Sequence, residues 1–228
     1  MNFGRAFSYV TEDPEWLKKV GIAALVMIIP IIGQIIVIGW ALEMTRRVIN
    51  SEPEMLPDWS NFGDYLSKGF QGFVVMFVYL LPVFLVSGCM QTLPALMGAM
   101  GDNSDAVQMI ASVISVVTIC FGCVIFLYEV AIGFILPAAF GNLAATGELG
   151  AGFRIGEVIG LVRAAPGPYF MTLLGSIVAG IIAGLGVIAC VIGVLFTIAY
   201  CYAVEAHFWG QAYNAAKAAQ SSTSMSTM

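Results

Sequence analysis

Charge is scarce in this sequence: Asp, Glu, Lys and Arg make up 10% of 228 residues, while 60% are hydrophobic. Soluble domains carry roughly 25% charged residues, so a water-soluble globule is excluded. There is one histidine, His207, and no run of lysines and arginines, which excludes a basic nucleic-acid surface. The cysteines number five and all lie in apolar stretches, where a thiol behaves as a small hydrophobe; neither a disulfide framework nor an oxidising compartment is implied. No phosphate loop, nucleophile elbow, zinc signature or dinucleotide fingerprint is present, so no enzyme and no cofactor are expected.

What is abundant is apolar sequence in long runs. Val20–Leu42 is long enough to cross a hydrocarbon core of about 30 Å. Gly69–Met100, holding Pro82 and Pro94, is the second run. Val107–Phe140 is the third, with Asp102, Ser104 and Asp105 before it as candidate helix caps. Phe170–His207 is the fourth, and as one helix it would measure about 57 Å. That is nearly twice what a bilayer needs, so a hairpin of two helices is expected, turning at Gly184-Leu185-Gly186. Met1–Lys19 carries Glu12, Asp13 and Glu15 and lacks the short basic start of a cleaved signal, so the first apolar run is expected to stay in the mature chain.

The basic residues choose between topologies, because cytoplasmic flanks are enriched in them. If Val20–Leu42 crosses fully, Arg5, Lys18 and Lys19 fall on one side and Arg46, Arg47, Lys68, Arg154, Arg163 and Lys217 on the other. If it turns back at Pro30-Ile31-Ile32-Gly33, all nine fall on one face. The expected fold is therefore all-α and polytopic: four full spans plus an N-terminal re-entrant hairpin turning at Pro30 and Gly33, with five spans as the alternative. Residues 1–220 form one membrane domain in the inner (plasma) membrane, its basic loops cytoplasmic, and 221–228 a disordered polar tail.

Two segments between the runs have amphipathic spacing. After Pro57, Trp59, Phe62, Tyr65 and Leu66 recur at helical intervals between acidic and polar residues; between Gly152 and Arg163, Ile155, Val158, Ile159 and Val162 do the same beside Arg154 and Glu157. Both read as helices on the membrane surface or as docking faces. Trp59, Phe62, Tyr65, Leu66, Arg154, Glu157, His207 and Trp209 are accordingly the candidate partner face.

Glu129 is the candidate ion or proton site, since an acid within a span is a functional hypothesis by default. A helix starting at Val107 uses about 20 residues to cross, which would leave Glu129 near the interface. Glu43 lies three and four residues before Arg46 and Arg47, the spacing of a local ion pair. Cys120-x-x-Cys123 lacks the second pair of ligands a metal needs and reads as packing. Glu205 and His207, two apart, point to different sides of a helix and make no metal site. Small residues at four-residue spacing, Gly175, Ala179 and Ala183 and also Gly180 and Gly184, suit close helix contact.

Phe7-Ser8-Tyr9, Asp13-Pro14-Glu15-Trp16, Pro30-Ile31-Ile32-Gly33-Gln34, Arg46-Arg47-Val48 and Leu56-Pro57-Asp58-Trp59 together resemble a prokaryotic membrane family known as domain of unknown function 4013. Phe153–Val158 and Ala206–Tyr213 are similar to its later segments. The resemblance implies a polytopic membrane protein and carries over no functional residue. The expected function is a non-enzymatic membrane protein, an accessory or scaffold subunit or a membrane-shaping, lipid-interacting one; the alternative is a small transporter or channel using Glu129. Expected partners are the lipid bilayer and a membrane protein complex or homo-oligomer, with no nucleic acid.

Overall fold

The computed structural model describes residues 1–53, 56–99 and 105–226, with side chains omitted at 93–99, 105–108, 110–111, 189–192 and 223–226. Asp102 and Ser104, expected as caps, lie outside the described residues, as do the side chains of Pro94, Asp105 and Cys190. Every regular element among the described residues is helical: α1 (Phe3–Glu12), α2 (Trp16–Val26), α3 (Ile32–Ile49), α4 (Phe62–Ala99), α5 (Asp105–Thr146), α6 (Ile155–Ala164), α7 (Pro166–Leu185) and α8 (Cys190–Ser226). Short 3-10 turns precede α6 and join α7 to α8. Among the described residues, three stretches can cross a bilayer by length and composition: Phe62–Thr92, Ser112–Thr146 and Pro166–Ile188.

The chain divides into two compact units. The first comprises Met1–Met76 with Phe134–Met228, the second Phe77–Gly133. In the second, α4 and α5 run as two apolar helices joined sideways by the Tyr128 hydroxyl, which donates to the carbonyl of Tyr79 at 2.7 Å. Most of their large side chains are exposed, Phe84, Leu85, Val124 and Leu127 among them.

In the first unit α8 is the hub, packing against α7, α3, α2, α1 and α6. The first apolar run breaks where Pro30 removes a backbone donor. Ile31 then takes a φ of 65°, and the amide of Ile32 donates to the carbonyl of Pro30 at 2.7 Å, closing a tight three-residue turn. Gly33 lets α3 pass against α2, since a Cβ there would overlap the carbonyl of Val26. The result is a hairpin, and Trp59 marks its return: its indole donates to the carbonyl of Lys19 at 2.8 Å and its ring stacks on Trp40 at 5.3 Å. Leu25, Ile28, Ile29, Ile31 and Ile32 crowd the tip, all exposed.

The fourth apolar run also breaks where expected, α7 ending at Leu185 and α8 following the turn at Gly186–Ala189. Of the small residues named for its packing, Gly175 lies under the ring of Phe208 and Ala179 is buried beside Cys201, whose thiol donates to its carbonyl at 2.9 Å. Gly180 and Gly184 instead face open space. No separate helix forms after Pro57: residues 57–61 are irregular, and Phe62, Tyr65 and Leu66 occupy the first turns of α4. Phe62, Tyr65 and Leu66 thus open a long helix, and Trp59 precedes it. The second amphipathic segment does form its own helix, α6, with Val158 and Leu161 buried. α8 continues through Ser226, into the segment from Ser221 expected to be a disordered tail.

Candidate functional site

The expected partner face divides by burial. Trp59 and Tyr65 are buried, Tyr65 donating its hydroxyl to the carbonyl of Asp58 at 2.6 Å. Phe62 and Leu66, one turn apart, are exposed. His207 is buried and stacked on the Tyr9 ring at 4.3 Å, with neither ring nitrogen hydrogen-bonded among the described residues. Trp209 is buried against Phe140 at 4.7 Å. Arg154 and Glu157 are exposed and engaged locally, Arg154 with Glu148 at 2.9 Å and Glu157 with the amide of Asn142 at 3.1 Å. Half of what spacing grouped as one face is thus interior packing, and half is exposed. Trp59→Ala should cost about 3 kcal/mol or more, because it opens a cavity between Lys19 and Trp40, whereas Phe62→Ala should cost well under 1 kcal/mol. Thermal unfolding of the two variants in detergent checks this; equal losses would place Phe62 in the core as well.

Glu43 stands at the centre of the charged residues in the first unit. α3 carries it with Arg46 and Arg47 on one helical face, and α4 brings Lys68 across to it. Arg46 grips both carboxylate oxygens, at 2.6 and 3.0 Å, Arg47 approaches at 3.3 Å and Lys68 at 2.8 Å. Glu52 takes the other side of Arg46 at 3.1 Å and Asp64 the other side of Lys68 at 3.0 Å. Burial opposes ionisation of Glu43, but hydrogen bonds from Arg46 and Lys68 outweigh it and hold its pKa down at about 2. The pairing with the two arginines follows from i, i+3 and i, i+4 spacing. Lys68 was not foreseeable by that rule, because its contact spans two helices. A cavity of about 300 Å³ opens beside this network, bounded across from it by the last turn of α5.

Glu129 is exposed on α5 and has no polar partner among the described residues. It was expected near an interface, on the premise that the helix ends its crossing near Phe126. α5 continues through Pro137 to Thr146, and Glu129 lies midway along the apolar stretch Ser112–Thr146. Cys120 and Cys123 are exposed on the same helix and unpaired. Among the described residues no three of His, Cys, Asp and Glu converge as a metal site would require.

A second carboxylate, Glu205 on α8, is the functional candidate that spacing rules passed over. It lines a cavity of about 290 Å³ with Phe140, Tyr202 and Trp209, and its side chain hydrogen-bonds Ser176 of α7. The available signal was a carboxylate inside the apolar run Phe170–His207, visible once that run is divided into two helices.

Apolar helices fit to cross a bilayer, joined to a helical body rich in ion pairs, define the class: a helical membrane protein. The chain belongs to the family described as Protein of unknown function (DUF4013), whose model matches residues 22–192. The resembling segments Phe7–Tyr9, Asp13–Trp16 and Ala206–Tyr213 lie outside the matched residues. No curated protein matches the chain, and no solved structure does.

Proposed function

We propose that this protein is a non-enzymatic accessory or scaffold subunit of the plasma membrane. It crosses the bilayer with α4, α5, α7 and the first half of α8, and dips the α2–α3 hairpin into one leaflet. The observation that carries this reading is the bare apolar surface of α4 and α5 between Phe77 and Gly133, where almost nothing is covered by the chain itself. Lipid can cover apolar side chains, but Glu129 in the middle of such a stretch calls for a polar neighbour. A membrane protein alongside supplies one.

The re-entrant placement of α2–α3 is supported by the exposed isoleucines at its tip and by Trp59, which touches both Lys19 at one end of the hairpin and Trp40 near the other. It also collects all nine lysines and arginines on the cytoplasmic face. Extraction into native nanodiscs followed by intact-mass determination tests the subunit reading. A second polypeptide in fixed ratio to the 24.3 kDa chain is the expected result; particles of this chain and lipid alone would contradict it.

A second reading, transport through Glu129, draws on that residue's central position in the Ser112–Thr146 stretch. Glu129→Gln separates the two. A transporter loses flux across reconstituted vesicles, whereas a subunit shows no flux to lose and instead holds its partner less tightly.

A further inference from the structure

The Glu205 cavity has a chemistry of its own, independent of any protein partner. We infer that it binds the ammonium group of an amphiphilic amine, seating the cation against Glu205 and the attached alkyl chain along the apolar wall. Three features of the cavity point the same way. Its volume of about 290 Å³ is at the lower end for small-molecule sites, and most of its lining is apolar, including Leu136 and Ile198. Glu205 is its one carboxylate, and none of the nine lysines and arginines lines it. Glu205 also forms no ion pair among the described residues, so no cation of the chain itself competes for it.

The third feature is aromatic. Phe140, Tyr202 and Trp209 line the cavity together with Glu205, the rings of Phe140 and Trp209 lying 4.7 Å apart and tilted by 46°. Ring faces attract cations, most strongly where water is excluded, and a carboxylate among several rings is a setting that recognises organic ammonium ions. A metal ion fits poorly, because a single carboxylate with one serine neighbour offers too few oxygen ligands. A neutral apolar ligand would leave the Glu205 carboxyl with no polar contact beyond Ser176.

An ammonium group reaches a membrane cavity from two sources, the headgroup of an aminophospholipid or a free long-chain amine. The full chain in dodecyl maltoside micelles, titrated calorimetrically with decylammonium, decanol, phosphatidylethanolamine and phosphatidylglycerol, distinguishes them. Decylammonium or phosphatidylethanolamine should bind at least tenfold more tightly than its uncharged or ammonium-free counterpart, and Glu205→Gln should erase that preference while leaving decanol unchanged. Preference for phosphatidylethanolamine alone assigns the lipid headgroup; preference for decylammonium alone assigns a free amine. If Glu205→Gln fails to fold, Phe140→Leu, which keeps an apolar wall and removes one ring face, should weaken ammonium binding about threefold with decanol unaffected. Equal binding of ammonium and non-ammonium probes, or a preference that survives the folded variant, overturns the inference.

Discussion

Gly39→Leu is expected to prevent stable folding, and Gly39→Ala alone to cost about 3 kcal/mol or more. At the crossing of α3 and α4 the two backbones touch. A Cβ on Gly39 would overlap the carbonyl oxygen of Tyr65, and one on Gly69 would overlap that of Ile35. The obstacle on each side is helical main chain, which cannot swing aside as a side-chain tip can. Small residues allow this approach between membrane helices, where apolar burial gives little driving force and contact distance decides. Gly63, in the first turn of α4 with open space around it, is the control, and Gly63→Ala should be neutral or mildly stabilising. Thermal unfolding in detergent reads all three variants; a Gly39→Ala protein as stable as the parent would mean that α3 and α4 cross elsewhere.

Glu43→Gln should have the second largest effect. It leaves Arg46, Arg47 and Lys68 facing one another around a neutral amide, and a buried pair stripped of one partner typically costs 3–5 kcal/mol. The three cations keep partial access to solvent, so about 2 kcal/mol is the expected loss. The pH dependence follows from the depressed pKa of Glu43. A carboxylate whose pKa falls from 4.5 to about 2 on folding contributes stability that is fully present above pH 4.5 and is lost as pH drops through 2. The unfolding temperature of the parent should therefore decline across that acid window. Glu43→Gln should start lower and lack this component, so the difference between the two proteins narrows below pH 4.5. A constant difference from pH 7 to pH 3 would show that Glu43 owes its role to packing and not to charge.

The features legible in the sequence are local ones. Pro30 and Gly33 announce a chain reversal because each restricts or frees the backbone at its own position, and Gly186 does the same between α7 and α8. The Glu43 pairing with Arg46 and Arg47 follows from helical spacing, as does α6. What could not be read depends on residues far apart in the chain. Trp59 looks like an interfacial aromatic until Lys19 and Trp40 close around it. Lys68 is an ordinary flanking lysine until α4 is laid across α3. Gly39 and Gly69 belong to no shared motif, since their meaning lies in the crossing of two helices. The Glu205 cavity draws its lining from five helices, and only its carboxylate was visible beforehand.

The central claim, that the charged body lies on one side of the bilayer and α2–α3 enters and leaves by the same face, is tested most directly by labelling single cysteines introduced into a cysteine-free chain. Lys18→Cys and Asn50→Cys flank the hairpin, and Ile31→Cys marks its tip. With a membrane-impermeant maleimide, the first two should react only when the cytoplasmic face is open to the reagent, and the tip should stay unreactive from either side. Reaction of Asn50→Cys from the opposite face to Lys18→Cys would contradict the account, making Val20–Leu42 a full span.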